Sequence, residues 1–309
     1  MKDAVAALSG LSLDPAELLR EADQRIQTVV PCESSRWWTV DPETMLATDL
    51  GESGPRAREE EVFSGEDFDA FDRLDREGRE SLVEGSVLRL ASRSGGATWV
   101  AARLRREPDR PALTEAEVEY LTGLGGYVAA GVRSYLADAP RLPGHSVVPG
   151  VLTVGSDDHI RDATPEAMGW LARWGVAAGD PLPQALRGLV RQTREQRVGP
   201  APLRAAKVRI RLPEGHWVVA RADRFAVEED HTAILMKAAT RADLRSLYFS
   251  VHGLTQRERE LTELLIEGAD LQDVASTLNL SIHTVRTHVK AIFAKVDVRS
   301  RAELTAAFG

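Results

Sequence analysis

Apolar residues near the start of the chain recur at helical spacing. In DPAELLREADQRIQTVVP, Leu18, Leu19, Ala22, Ile26 and Val29 share one face, which predicts an amphipathic helix. SSRWWTVDPETMLAT changes period and predicts two short strands around an Asp41-Pro42 turn. Trp37 and Trp38 are neighbours there, so a strand sends them to opposite sides, one to a core and one to an interface or pocket wall. SVLRLASRSGGATWVAARLRR predicts a hairpin, with two β-rich runs around Ser94-Gly95-Gly96. A long helix follows in LTEAEVEYLTGLGGYVAAGVRSYL, opened by a Thr114/Glu117 capping box. The stretch around 50–85 is acidic and is assigned no element.

DAPRLPGHSVVPG is rich in Pro and Gly and predicts a linker. Beyond it, GVLTVGSDDHIRDATPEAMGWLARWG reads as strand, Asp-Asp turn, short strand and helix. KVRIRL, HWVVARADRF and HTAILMKAA add strands, which an antiparallel sheet with helices on one side would accommodate. The Arg-rich stretch from Arg187 to Arg211 reads as a solvated helix and an edge strand that could dock on the acidic first region.

From Leu254 onward the pattern is wholly helical. Thr255 and Glu258 form a capping box, Leu261, Leu264 and Leu265 share a face, and Gly268 stops the helix. Asp270 caps a second short helix with Val274 and Leu278 inward and a small Ala275 for close crossing. Asn279 falls where a tight turn needs positive φ, and Ser281 caps a third helix. At 100° per residue, Ile282, Val285, Val289, Ile292 and Val296 of that helix point one way. His283, Thr287, Lys290 and Ala291 point the other, flanked by Arg286 on one side and by His288 and Lys295 on the other. A small centre with long cationic edges suits a helix laid in the major groove of DNA. Ser281 and Thr284 at its start could add hydroxyl and backbone N–H contacts to phosphate.

Charge sharpens this picture. The chain of 309 residues carries a formal net charge of -8. Ser281 to Gly309 holds five Lys/Arg against two acids, +3, which leaves -11 for everything before it. An acidic chain with one basic terminal helix is repelled from DNA in all but one orientation.

At this point the residues resemble a family. LTQRE, the Gly268 stop, VASTLNLS, HTVRTHV, Ile292, Lys295 and VRSR together resemble the LuxR-type helix-turn-helix domain of bacterial transcriptional regulators. The resemblance implies that the third helix reads DNA through Thr284, Arg286, Thr287, His288 and Lys290, with Lys295 near the phosphate backbone. With the exposed positions above, the expected DNA-binding set is Ser281, His283, Thr284, Arg286, Thr287, His288, Lys290 and Lys295. The family commonly has Lys where this chain has Arg286, and Arg can grip guanine bidentately, so base preference would differ. The resemblance also implies a homodimer on double-stranded DNA, joined through the last helix, SRAELTAAF, with RNA polymerase a further candidate partner. Upstream, the stretch from Gly95 to Leu136 resembles the second half of a GAF domain. GVLTVGSDDHIRDATPEAMGWL resembles the opening of a PAS-like domain. Each implies a sensor of a small-molecule ligand or a protein contact.

The expected architecture is therefore multidomain: α+β sensor domains followed by an all-α helix-turn-helix domain. Residues 1–138 would be GAF-like, 139–150 a linker, 151–240 PAS-like, 241–253 a helical connector and 254–309 the DNA reader. The alternatives are a protein-interaction module and a sensor with an enzymatic activity. The sequence offers no metal cluster, no nucleophile–base pair and no phosphate-binding Walker loop, so no catalytic residue, metal or cofactor is expected. SDDHI reads as a turn rather than a phosphoacceptor site. Cys32, the single cysteine, allows no intramolecular disulfide and reads as a small buried residue. No signal sequence and no membrane span are expected, which points to the cytoplasm.

Overall fold

The structure is a computed structural model. It describes residues 14–48, 63–107, 109–137, 148–177, 180–195, 206–212, 214–225 and 231–309. The sequence readings on the first 13 residues, on most of the linker and on 196–205 lie outside the described residues. The chain divides into two compact units, a body that runs to Ala239 and a helical unit from Thr240 to Gly309.

The body opens with α1 (Pro15–Val29), capped by Asp14, whose carboxylate accepts the N–H groups of Ala16 and Glu17. Leu18, Leu19, Ala22 and Ile26 are buried as their spacing predicts. Val29 is 39% exposed, because the helix ends there and Val30 turns inward instead. β1 (Ser34–Thr39) alternates, with Trp37 buried and Trp38 half-buried. The strand expected after the Asp41-Pro42 turn is reduced to a single bridge between Val40 and Ala47.

The acidic stretch that was assigned no element holds two, α2 (Gly65–Glu77) and β2 (Ser81–Glu84). Phe68, Phe71 and Leu74 form the inward face of α2, and Asp67, Asp72 and Asp75 among them are ion-paired. Asp67 is fully buried, and Arg89 and Arg103 both reach it. β3 (Val87–Ser94) and β4 (Ala97–Arg105) form the expected hairpin, with Gly95 and Gly96 at positive φ. The sheet order is β1-β4-β3-β2. α3 (Glu115–Ala137) starts at the Thr114/Glu117 capping box and packs on β3 and α1. Two glycines allow this approach: a Cβ at Gly125 would run into Ser92, and one at Gly131 into Leu18. Glu117 also binds Arg106, the largest cause that holds its carboxyl down at about 2. Cys32 is half-buried; burial pushes its thiol up.

The second sheet has the order β6-β5-β9-β8-β7. Its strands are β5 (Gly150–Val154), β6 (Ile160–Ala163), β7 (Lys207–Arg211), β8 (Trp217–Arg224) and β9 (Thr232–Ala238), paired antiparallel. The Asp157-Asp158 turn joins β5 to β6, with Asp158 at positive φ. α4 (Pro165–Arg173) packs on β5. α5 (Gln184–Glu195) packs on β7, β8 and β9. α5 is not a solvated helix: Ala185, Leu186, Leu189 and Val190 are fully buried, and its arginines occupy the opposite face.

The two sheets share one core. Val40, Leu46, Phe63 and Phe71 from the first stretch join Leu152, Trp170, Leu186, Ile210 and Met236 from the second. A buried ion pair crosses between them. Arg209 on the edge strand β7 donates through Nε (2.7 Å) and a terminal nitrogen (2.6 Å) to the Asp41 carboxylate. Both side chains are 1% exposed. Burial alone would raise the Asp41 carboxyl, but the guanidinium facing it holds it below its ordinary value. No helix among the described residues is long and apolar enough to cross a membrane.

Candidate nucleic-acid interface

The helical unit holds α6 (Arg241–Val251), α7 (Gln256–Glu267), α8 (Leu271–Thr277), α9 (Ile282–Val296) and α10 (Arg301–Phe308). Each begins at a polar cap: Thr240, Thr255, Asp270, Ser281 and Ser300 accept from the first turn. α7 stops at Gly268 with φ 109°. The turn from α8 to α9 runs through Asn279 at φ 52°, as its position predicts.

α9 packs on α7 and α8. Val285, Ile292 and Val296 are its buried residues, while Ile282 and Val289, also expected inward, are half-buried. On the far side His283, Arg286, Thr287, Lys290 and Ala294 are exposed, which at 100° per residue forms one continuous stripe. Neither Arg286 nor Lys290 has an ion-pair partner among the described residues. Thr287 ties its hydroxyl back to the His283 carbonyl at 3.1 Å, which keeps the centre of the stripe low. His288 and Ala291 are half-buried at its margin.

Two other expected residues lie at the start of α9. Ser281 Oγ accepts the Thr284 N–H at 3.1 Å and shares a hydrogen bond with the Thr284 hydroxyl at 2.8 Å. The two side chains fix the helix entry, and the first backbone N–H groups remain available to an anion. Lys295 stands apart from the stripe. Its ammonium donates to Glu258 Oε2 at 2.6 Å and to the Gly253 carbonyl at 3.1 Å. Burial would raise the Glu258 carboxyl, but Lys295 and the capping N–H of Thr255 hold it below its ordinary value. The charge of Lys295 is thus engaged within the unit.

Several contacts that hold the helical unit in shape were not foreseen from the sequence, although Arg257 and Arg301 lie in the LTQRE and VRSR runs. Arg301 sends two guanidinium nitrogens to the Leu265 carbonyl, at 3.0 and 2.6 Å, and so satisfies the end of α7. Arg257 reaches the Leu278 carbonyl at the end of α8. The stretch expected to be a connector is part of the unit: Arg245 donates to the Phe308 carbonyl at 3.0 Å, and Phe249 meets Phe308 edge-on at 5.1 Å. His252 Nδ1 lies 3.1 Å from the Lys295 carbonyl, next to the end of α9. All these partners are 20 or more residues away, so no local pattern announces them.

From Thr240 to Gly309 nine Lys/Arg meet nine Asp/Glu. The unit is neutral overall, and its positive field is confined to where the acids are absent.

Residues 252–308 match the family model of bacterial regulatory proteins, luxR family. They form a LuxR-type helix-turn-helix domain. The monoamine regulon transcriptional regulator of Klebsiella aerogenes is 45% identical over 51 residues, 16% of this chain and 22% of that one. An HTH-type transcriptional regulator of Mycobacterium bovis is 29% identical over 200 residues, 60% of this chain and 22% of that one. The matched stretch thus spans about a fifth of the length of either relative. A solved structure of the Vibrio cholerae VqmA dimer is 16% identical and covers 52% of this chain and 81% of that chain, with a TM-score of 0.21, too low to assign a shared fold.

Proposed function

We propose that this chain is a sequence-specific DNA-binding transcriptional regulator whose α9 reads the major groove and whose body senses a signal. The observation that carries the reading is the stripe of His283, Arg286, Thr287 and Lys290, exposed on the third helix of a capped helix-turn-helix unit with its cations unspent. Arg286 and Lys290 serve as base readers, His283, Thr287 and His288 as contacts along the groove, and Ser281 and Thr284 as the phosphate-facing helix start. Lys295, held by Glu258, positions the C-terminal end of α9 beside the backbone. A single recognition helix covers one half-site, so the operator is read by a homodimer, with α10 as its contact surface.

The body acts as the signal-receiving part. Its first sheet, framed by α1 and α3, supports a GAF-like reading. Its second sheet places the first two strands of that region next to its last, with both helices inserted before the third, which supports a PAS-like reading. The signal is a small molecule or a protein contact, the site of action is the cytoplasm, and the output is exerted on RNA polymerase at the promoter.

The test is selection of duplexes from a random pool by the full chain, followed by a salt titration on the enriched sequence. A two-fold site is expected, with log affinity falling against log salt by about 0.9 for each phosphate contact. The fragment from Thr240 to Gly309, which carries its own caps and core, should bind the same half-site. Recovery of no common sequence, with binding insensitive to salt, would overturn the reading.

A further inference from the structure

A cavity of about 640 Å³ opens on the body among the start of α1, the last turns of α3, the segment between α4 and α5, and the end of β7. Much of its wall is flat and apolar: Trp174, Tyr135, Pro181 and Pro183. Among the described residues of its lining the one cation is Arg211. The guanidinium carbon lies 4.5 Å from the centre of the Tyr135 ring, and one terminal nitrogen donates to the Tyr135 carbonyl at 3.3 Å. Its Nε is shut off from water and has no hydrogen-bond partner. Arg89, Arg106, Arg194 and Arg209 in the same body each face a carboxylate, whereas Arg211 faces none among the described residues.

We propose that this cavity binds a small aryl carboxylate, with the acid held by Arg211 and the ring laid against Trp174 and the prolines. The inference rests on the reading of the body as the sensing part and names the class of its ligand. A guanidinium held against a ring, with Nε buried and one terminal nitrogen on the Tyr135 carbonyl, keeps terminal N–H groups that can donate to a carboxylate. The volume is that of a site for one small ligand, with flat apolar groups on one part of the wall and polar groups on the rest. Gln184, 8% exposed, closes the inner wall, its amide held by the Phe63 carbonyl at 3.4 Å. Asp14 and Asp180, the acids among the described lining residues, already accept backbone N–H groups, from Ala16 and Glu17 and from Ala177. They are set against a second acid group on the ligand.

Isothermal titration of the full chain with 3-phenylpropionate and with its neutral isostere 3-phenylpropionamide tests this directly. Saturable heat is expected with the acid, and binding at least about tenfold weaker with the amide, since the charge-assisted pair is lost. Arg211→Met should weaken the acid by a similar factor without changing the weak binding of the amide, and Trp174→Ala should weaken both. Equal affinity for acid and amide overturns the proposal on the wild-type chain alone, whatever the variants do. So does saturable binding that Arg211→Met leaves unchanged, or no heat with the acid up to about 5 mM. The readout involves no DNA, so failure here leaves operator binding standing, and loss of operator binding leaves this result standing.

Discussion

The body and the helical unit treat their cations differently. In the body, arginine is largely a structural residue. Arg209 is sunk against Asp41, Arg89 and Arg103 converge on Asp67, and Arg106 grips Glu117. In the helical unit, Arg257, Arg301 and Lys295 are spent in the same way on carbonyls and carboxylates, but Arg286 and Lys290 are not. The lesson is that net charge and cation density do not locate a nucleic-acid surface. The body holds most of the chain's arginines, and many of those described are paired with its own acids. What locates the surface is positive charge that the fold leaves without an ion-pair partner and gathers on one exposed helix face.

The comparison breaks most visibly at Asp41. Asp41→Ala removes the buried carboxylate from Arg209, leaves the half-exposed Glu43 at 2.7 Å to hold it, and should cost the body about 3–5 kcal/mol in urea unfolding followed by tryptophan fluorescence. Replacing both partners by apolar residues, Asp41→Leu with Arg209→Met, should recover most of that loss. A single variant as stable as the wild type would show that this arginine is not spent as described.

Arg286→Ala and Lys290→Ala should do the opposite. Each should lose about 1–3 kcal/mol of discrimination for the selected operator. Stability should stay within about 0.5 kcal/mol, because neither side chain holds the fold. Anisotropy titrations and thermal melts of the same preparations read the two effects side by side, and unchanged operator affinity in both variants would remove α9 from its role.

Lys295→Met sharpens the boundary between the two kinds of cation. Loss of a charged partner from Glu258 should destabilise the helical unit by about 1–2 kcal/mol at neutral pH, with a smaller effect on operator binding than at Arg286 or Lys290. Glu258 is held below its ordinary value in the folded state, so its contribution is present above the ordinary carboxylate range and fades as pH falls through the folded value. Wild type and variant should therefore converge in acid, which melting curves across pH will check.

The smallest effect is expected at Glu117, 27% exposed and paired with Arg106. Its carboxyl is lowered from 4.5 to about 2, so its contribution is complete above 4.5 and is lost as pH falls toward 2. Glu117→Gln should remove that dependence: the stability gap between wild type and variant closes across this window. A gap that stays constant would show that Arg106 is not spent on this carboxylate.

Elements with short-range causes were legible in the chain itself. The capping boxes at Thr114 and Thr255, the Gly95-Gly96 hairpin and the αL turn at Asn279 each need only residues within a few positions of one another. α2 was hidden because its inward Phe68, Phe71 and Leu74 sit among acids, one of which, Asp67, is buried only because Arg89 and Arg103 arrive from other strands. The exposed stripe of α9 was legible from its period, but the capture of Lys295 was not, since Glu258 lies 37 residues earlier.

By itself the sequence determined most of the helices and strands outside α2 and β2, where the third helix of the C-terminal unit begins and ends, and which face of it is apolar. These follow from periodicity, caps and backbone preferences, all of which act over one or two turns. Only the tertiary structure decided that two stretches separated by a Pro/Gly-rich segment share one core, that α6 belongs to the reader, and which cations remain free. Those outcomes depend on which partner reaches a charge or an apolar face first in space. A guanidinium looks the same in the sequence whether a distant carboxylate claims it, as at Arg209, or none does, as at Arg286.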